Sequence, residues 1–279
     1  MSQESNVSND ASAASDASAA PVPIDGRLDG ASPRGWHYFE VFRECPRKFY
    51  YEKFLGFRSV QKRAALVKGK AVHQLDEDFL RGKSVIEAKA LCRGYLESER
   101  DAFFDDAEAQ EAWEDIERAW DKWLVCFGHS DRAKYDIVSL EETLQMPLAE
   151  RVVTGRLDRL YRDRETGGLV IADRKTSKSQ TAQGICDGTD LDDQLVLYSA
   201  LVEARYGEKP SVLIDALGFR KRDPSIGRME SFYSTDVVRD VLHGLESDMF
   251  DIEARIGGTL AQPGTWQFAW PRHPLKWKL

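Results

Sequence analysis

The stretch that decides the fold is GRLDRLYRDRETGGLVIADRKT, residues 155–176. Two runs rich in Val, Leu and Ile flank the polar string DRETGG, and this pattern predicts two strands joined by a hairpin turn. Folding the chain about the middle of that turn places Asp158 opposite Asp173. Side chains that oppose each other in a sheet have Cβ atoms roughly 5 Å apart, so the register predicts two neighbouring carboxylates.

Neighbouring carboxylates repel each other unless a cation lies between them or one of them is protonated. A divalent cation would remove the repulsion, and carboxylate oxygens suit Mg²⁺ or Mn²⁺. Lys175 lies two residues after Asp173 and therefore shares its strand face. The Asp-x-Lys motif alone is weak, since about one is expected by chance in a chain of this length. A one-residue bulge would also alter the register.

The rest of the chain predicts a mixed α/β fold, a central sheet flanked by helices with a helical arm before it. Apolar residues recur at helical spacing from Trp36 to Phe127, with a break at Pro46 after which Arg47 opens a second helix. Further along we expect strands over 135–148, 152–162 and 169–174, a helix over 191–206, strands over 211–220 and 228–234, and a helix over 235–256.

The 279 residues suffice for one large domain or two small ones. Residues 1–34 contain few large apolar side chains, so we expect a disordered tail. We expect a single domain over 35–279, made of a helical arm (35–130), a sheet core (131–260) and an aromatic C-terminal tail (261–279). No stretch resembles a membrane span or a secretory signal, so the expected location is the cytoplasm.

The net charge of −8 is unevenly distributed. Between Trp36 and Lys70, nine basic residues face three acidic ones, with aromatic residues interleaved. Cations beside flat rings suit phosphates and unstacked bases. An acidic segment over 97–121 lies on the polar side of an amphipathic helix, which a solvated surface explains. The candidate nucleic-acid contacts are Arg47, Lys48, Tyr50, Lys53, Lys68 and Lys70.

Three further polar residues are ambiguous when considered alone. Gln194 and Tyr198 are four residues apart and share one helix face, which simple packing against the sheet would equally explain. His73 lies one residue off the apolar stripe of its helix, where a lone histidine is usually structural.

Five strings occur in order along the chain: CPRKFYY (45–51), GKAVHQ (69–74), GRLD (155–158), ADRKT (172–176) and QLVLY (194–198). Together they resemble the RecB-like branch of the PD-(D/E)XK nucleases, over about Trp36 to Arg220. The resemblance implies a restriction-endonuclease-like mixed sheet. Five motifs in the same order are far more specific than any one of them.

The resemblance also implies a metal site and its ligands. Asp158 and Asp173 would ligate Mg²⁺ or Mn²⁺, helped by His73 and by the backbone carbonyl of Arg174. No geometric argument from the sequence assigns the last two ligands, which follow from the resemblance alone.

The same resemblance implies roles for the residues around the metal. Lys175 would position or activate the attacking water, and Gln194 and Tyr198 would line the site. Glu142, with Glu141 as the second choice, resembles the family's acidic residue on the preceding strand.

This chain departs from the family in its cysteines. Several RecB-like nucleases hold an iron–sulfur cluster with one cysteine in a string like that at Cys45 and three near the C-terminus. Here no cysteine follows Cys186. A cluster needs about four thiolates, so we predict no iron–sulfur cluster. The tail instead carries Trp266, Phe268, Trp270, Pro271, Pro274 and Trp277, whose packing would replace the cluster as a staple.

The expected function is a divalent-metal-dependent DNA nuclease, an exonuclease by analogy, in DNA repair, recombination, or phage- or CRISPR-related DNA processing. The chain contains no Walker motif, so any motor would be a separate helicase or recombination partner. Two alternatives stay open: a non-catalytic nuclease-like module that binds nucleic acid or a partner, and a nuclease acting on RNA. The intact set of Asp158, Asp173 and Lys175 favours catalysis over the first.

Overall fold

The hairpin of residues 155–176 forms the centre of a five-stranded sheet. In spatial order the strands are β1 (Tyr135–Leu148), β2 (Arg151–Asp163), β3 (Leu169–Ser177), β4 (Ser211–Gly218) and β5 (Ser225–Ser231). β3 and β4 are parallel and the other neighbours antiparallel, so the sheet is mixed, as predicted. The structure, a computed structural model, describes residues 34–57, 63–189, 192–219 and 223–271.

Helices cover both faces of this sheet. In chain order they are α1 (Trp36–Glu44), α2 (Pro46–Phe49), α3 (Ala64–Leu80), α4 (Val85–Ser98), α5 (Asp106–Trp123), α6 (His129–Lys134), α7 (Ala182–Thr189), α8 (Asp193–Tyr206), α9 (Thr235–Ala261) and α10 (Trp266–Ala269). α1, α8 and α9 share one core with the sheet, and α3, α4 and α5 form a second core that reaches Leu217 and Phe219. The prediction of a mixed α/β fold with an N-terminal helical region is confirmed.

Local differences from the prediction have simple causes. Pro46 itself, not Arg47, is the first residue of α2, a position where its missing N–H costs nothing. α7 was not predicted, because Gly184 and Gly188 lower the helix propensity of its eight residues. Residues 1–33 of the predicted disordered tail lie outside the described residues. Within the described ranges, no helix is both long enough and apolar enough to cross a membrane.

Four aromatic rings, which we call the aromatic staple, join the N-terminal helices to the C-terminal tail. Phe49 stacks on Trp270 with ring centroids 5.7 Å apart, and Tyr50 stacks on Trp266 at 5.1 Å. Arg47 donates from Nε to the carbonyl oxygen of Trp270 at 3.0 Å. The start and end of the described chain are therefore packed together. Residues 272–279 of the predicted aromatic tail lie outside the described residues.

Candidate active site

Strand β2 is irregular around Asp158, next to the end of its ladder with β3. Leu157 and Leu160 pack in the same core although they are three residues apart, so side-chain alternation breaks between them. On the neighbouring strand Glu141 has φ of 55°, in the left-handed region that non-glycine residues rarely adopt. Strained backbone of this kind is concentrated at functional sites, because there it re-aims a side chain.

The predicted hairpin register is confirmed for the four pairs that β2 and β3 form, from Arg162–Leu169 to Arg159–Ala172. Arg159 pairs with Ala172, and the ladder ends one pair before Asp158 and Asp173. The backbone N–H of Arg174 donates to Asp158 Oδ2 at 3.2 Å, which ties the aspartate of β2 to the end of β3. The side chain of Asp173 lies among buried groups at this end of the sheet.

His73 of α3 reaches Asp158 from the second core. Its Nδ1 lies 3.2 Å from Asp158 Oδ2. One ligand atom each from His73, Glu141 and Asp158 lie within 4.8 Å of one another, a spacing that could hold one metal ion. Burial, the largest single effect, acts to lower the pKa of His73, but the charge and hydrogen bond of Asp158 and the charges of Asp173 and Asp76 together raise it.

The structure corrects the choice between the two glutamates of β1. Glu141 is the one near Asp158, whereas Glu142 Oε2 accepts a hydrogen bond from the Tyr206 hydroxyl at 3.1 Å. The cause is a register shift between Ile137 and Ser139, followed by the left-handed conformation at Glu141. The proposed site therefore contains Glu141 and not Glu142.

Lys175, Gln194 and Tyr198 form a hydrogen-bonded chain beside Asp173. Lys175 Nζ lies 3.2 Å from Asp173 Oδ2 and donates to Gln194 Oε1 at 2.9 Å. Gln194 Nε2 in turn donates to the Tyr198 hydroxyl at 2.8 Å. Asp192, which caps α8, lies 3.5 Å from Lys175 Nζ. The ammonium group is thus held in place from two sides.

The two aspartates have opposite electrostatic surroundings. Burial and the charge of Asp158 raise the pKa of Asp173, against the opposing effect of Lys175. Burial also acts to raise the pKa of Asp158, but His73 and Arg159 outweigh it and hold that pKa below its usual value. Burial would lower the pKa of Lys175, yet the nearby carboxylates raise it, so the ammonium stays charged.

These residues fit the divalent metal that the predicted chemistry requires. Asp173 Oδ2 is buried, and although Lys175 Nζ lies 3.2 Å away, no well-aligned hydrogen bond reaches this oxygen in the described part of the protein. A buried carboxylate oxygen without a well-aligned donor is costly, and a metal cation would stabilise it further. A donor set of imidazole nitrogen and carboxylate oxygens suits Mn²⁺, and Mg²⁺ as the harder alternative. The ligand role of the Arg174 carbonyl stays a prediction.

On the sheet face opposite Asp173 and Lys175, the Arg174 side chain links α3 to β3. Arg174 donates to Asp76 from Nε at 2.8 Å and from Nη2 at 3.1 Å, and its guanidinium stacks over Trp123. Trp120 Nε1 also donates to Asp76, at 2.9 Å. Asp76 follows His73 by three residues on α3. The buried Arg174–Asp76 pair therefore fixes the position of His73 relative to Asp158.

The pair extends into a buried charge network, which we define as Asp76, Asp131, Asp215, Arg159, Arg174 and Arg228. Asp215 is fully buried and accepts from Arg228 Nε at 2.8 Å and from Arg159 Nη2 at 3.4 Å. Arg228 also donates to both oxygens of Asp131. Three carboxylates and three guanidiniums balance, which lets the network remain buried. Sequence reasoning missed all of its side-chain contacts.

Gly155 shows how closely α8 packs over the site. A Cβ at this position would clash with Leu201 Cδ1 and would lie 2.9 Å from Tyr198 Cδ1. We expect Gly155→Ala to lower the free energy of unfolding by about 1–3 kcal/mol, the range for overpacking, and to reduce cleavage by displacing Tyr198. Urea unfolding and a nuclease assay measure both. Gly94→Ala, at an exposed helical glycine with open space around it, should not destabilise the protein.

Three of the six candidate nucleic-acid contacts serve other purposes in the structure. Arg47 binds the C-terminal tail, and Tyr50 is buried in the aromatic staple. Lys68 is buried, and its Nζ donates to Asp115 Oδ2 at 2.9 Å. These corrections arise because the sequence shows where cations and aromatic rings occur. It does not show which of them bind other groups within the folded protein.

The other three candidates differ in their surroundings. Lys48 donates to Glu44 Oε2 at 2.7 Å, and Lys53 is half-buried. Lys70 is exposed on α3 and shares a helix face with His73, three residues later. It therefore lies on the same side of the helix as the candidate ligand.

The fold and the site together define a mixed α/β protein with a carboxylate-rich, lysine-containing site suited to a divalent cation. The sequence profile of the PD-(D/E)XK nuclease superfamily matches residues 38–260, most of the chain. The chain belongs to the PD-(D/E)XK nuclease superfamily. A search of curated protein sequences found no match.

One solved structure supports the fold. A Eubacterium rectale protein named "Putative exonuclease" is similar, with a TM-score of 0.53, 16% identity and 82% of each chain covered. LHK-Exo in complex with dAMP shows a TM-score of 0.36 and 12% identity, covering 70% of this chain and 92% of that one. The second likeness is too weak to support any argument, and the first concerns the fold alone.

Proposed function

We propose that this protein is a divalent-metal-dependent DNA nuclease of the RecB-like branch, acting as an exonuclease. The observation that carries the proposal is the convergence of Asp158, Asp173 and Lys175 at one end of the central strand pair, with His73 placed over Asp158. A module that only binds DNA has no need for a buried carboxylate that lacks a well-aligned hydrogen bond and lies beside a lysine. This favours catalysis over the non-catalytic alternative.

In this proposal each residue has a defined task. Asp158, Asp173, Glu141 and His73 would hold Mg²⁺ or Mn²⁺, which supplies Lewis acidity and a more acidic bound water. Lys175 places a positive charge where negative charge develops on the phosphate during hydrolysis.

The residues around Lys175 keep its ammonium in one position before the substrate arrives. Gln194 accepts a hydrogen bond from Lys175, and Tyr198 accepts one from Gln194. A preorganised charge of this kind does not need to be reoriented during the reaction, which is the source of its catalytic effect.

Lys70 is the candidate for contact with the phosphate backbone on the α3 side. It is exposed and lies on the helix face of His73, so a strand that reaches the metal residues would pass it. Assignment to repair, recombination or a related DNA-processing pathway, with a helicase partner and a cytoplasmic location, remains part of the proposal and has the motif resemblance as its support.

The test is digestion of end-labelled single-stranded DNA, double-stranded DNA and RNA with Mg²⁺ or Mn²⁺. We expect mononucleotides or short products from linear DNA and no cleavage of circular DNA of the same sequence. Cleavage of the circle would show an endonuclease, and cleavage of RNA alone would show a ribonuclease. Asp158→Asn is the matched inactive control, since it keeps the side-chain shape and removes the charge.

We expect His73→Ala to weaken Mn²⁺ binding by at least about ten-fold and to reduce cleavage at low metal concentration. The reason is that the imidazole supplies one of three grouped ligand atoms. Excess Mn²⁺ should partly restore cleavage, since the carboxylates remain. Titration calorimetry with Mn²⁺ and cleavage as a function of metal concentration measure both effects.

The matched control is His243→Ala, at an exposed histidine of α9, which should leave both measurements unchanged. If His73→Ala retained wild-type affinity and activity at low metal concentration, His73 would have a structural role only.

A further inference from the structure

A cavity of about 580 Å³ lies beside the end of β3, next to the candidate active site. Its walls come from the start of α3, from α5 and from the residues that follow Lys175. The lining includes Ala65, Lys68, Phe103, Ala112, Ser177 and Phe219. Its size falls within the range of ~300–1,000 Å³ that is typical of small-molecule sites.

The cavity and the candidate metal ligands lie along the same stripe of α3. Ala65, Gly69 and His73 are spaced by four residues, so they share one helix face. Between them, a Cβ added at Gly69 would lie 3.9 Å from Thr176 Oγ1, which shows how closely α3 approaches β3. Eight residues of helix separate Ala65 from His73, a rise of about 12 Å. The cavity therefore lies within about 12 Å of His73 along the same face of α3.

The charges of the lining do not favour a phosphate. Lys68 is already neutralised by Asp115, and Lys178 Nζ lies 3.8 Å from Glu111 Oε1. A second carboxylate, Glu108, also lines the cavity. Because three carboxylates face two lysines, an anion is repelled there, whereas a neutral group is not.

The remaining lining suits a flat ring with polar edges. Phe103 and the alanines of the lining supply apolar surface, and the hydroxyl groups of Thr176 and Ser179 can donate to or accept from ring nitrogens and carbonyl oxygens. Lys68 already lies over the Phe219 ring, and Ser177 Oγ accepts from two backbone N–H groups. Nucleobases have this combination of an apolar face and a polar edge, and proteins bind them by contact with aromatic side chains.

We propose that this cavity receives one unstacked nucleobase of the DNA strand whose phosphate lies at the reaction centre. The inference rests on the proposed nuclease function and adds a base-binding subsite to it. The base would hold the strand in register, so that one phosphate is presented to Lys175. Hydroxyl groups can serve either hydrogen-bonding role, so the subsite accepts all four bases.

The first test is an abasic scan with the wild-type protein. Single-stranded oligonucleotides carry one abasic site, moved one nucleotide at a time, and are digested with Mn²⁺ while the cleaved bonds are mapped. We expect one position, at a fixed distance from the cleaved bond, where the missing base lowers cleavage by at least about five-fold, the lower end for loss of a base contact.

The second test fills the cavity. Ala65 is exposed at the start of α3, so Ala65→Phe can project a ring into the cavity without disturbing the core. Cleavage of intact DNA should fall to the level of the sensitive abasic substrate, and the abasic penalty should disappear. Ala90→Phe, at an exposed position of α4, is the matched control and should behave as the wild type.

A fluorescence measurement tests binding without cleavage. In Lys175→Ala with Mg²⁺, 2-aminopurine at the sensitive position should brighten on binding, because it leaves the base stack. Equal cleavage of every abasic substrate would overturn the subsite while the nuclease function stands. If no oligonucleotide or duplex were cut with either metal, the nuclease function would fall, and the subsite with it.

Discussion

Lys175→Ala is expected to lower the rate of DNA cleavage by at least about 100-fold while the protein remains folded. The loss follows because removal of one preorganised charge that stabilises a transition state typically costs that much or more. Asp173→Ala should abolish cleavage for a different reason, the loss of a metal-binding carboxylate. Single-turnover cleavage of labelled DNA, together with circular dichroism of each variant, measures both parts of the prediction.

Thermal stability distinguishes this prediction from a simple folding defect. Burial raises the pKa of Asp173, so its charged form destabilises the metal-free folded state at neutral pH. Asp173→Ala should therefore melt at the same temperature as the wild type or higher. Lys134→Ala, at the other end of the sheet, is the matched lysine control and should retain activity. Activity losses that parallel unfolding would contradict the catalytic assignment.

Asp215→Asn is expected to lower the free energy of unfolding by about 3–5 kcal/mol, the range for breaking a buried ion pair. Asp215 is fully buried between Arg159 and Arg228, so its loss leaves guanidinium charge without a partner in the sheet. Chemical denaturation at neutral pH measures the change. Asp136→Asn, at an exposed carboxylate paired with Arg164, is the control and should have little effect.

The same variant should change how stability depends on pH. Burial acts to raise the pKa of Asp215, but Arg174, Arg159 and Arg228 outweigh it and hold that pKa below the ordinary 3.8. A depressed carboxyl pKa gives stability that is present above about pH 4 and is lost as the pH falls through the folded-state pKa. Wild-type stability should therefore fall below pH 4, and Asp215→Asn should show a shallower fall. Equal slopes would contradict this assignment.

The parts of the site that the sequence predicted are those set by local geometry. A hairpin with a clear polar turn fixes its own register, so the alignment that brings Asp158 towards Asp173 followed from the turn alone. Lys175 then followed from strand alternation. The strand order and the mixed sheet followed from the change of apolar period along the chain.

The parts that the sequence did not predict depend on irregular backbone or distant contacts. The choice of Glu141 over Glu142 depends on a bulge and a left-handed residue, neither of which leaves a periodic pattern. Arg174 and Asp76 are 98 residues apart, and each looks like an ordinary surface charge in the sequence. Only the packing of α3 on the sheet shows that both are buried.

The aromatic staple has a consequence for how the protein matures on the ribosome. Arg47 and the carbonyl that it binds at Trp270 are 223 residues apart. While the chain is being synthesised, Phe49 and Tyr50 emerge long before the tryptophans that cover them, and closing so long a loop is slow. The aromatic surface of the N-terminal helices therefore remains exposed during synthesis. The aromatic staple can form only after Trp270 has been translated.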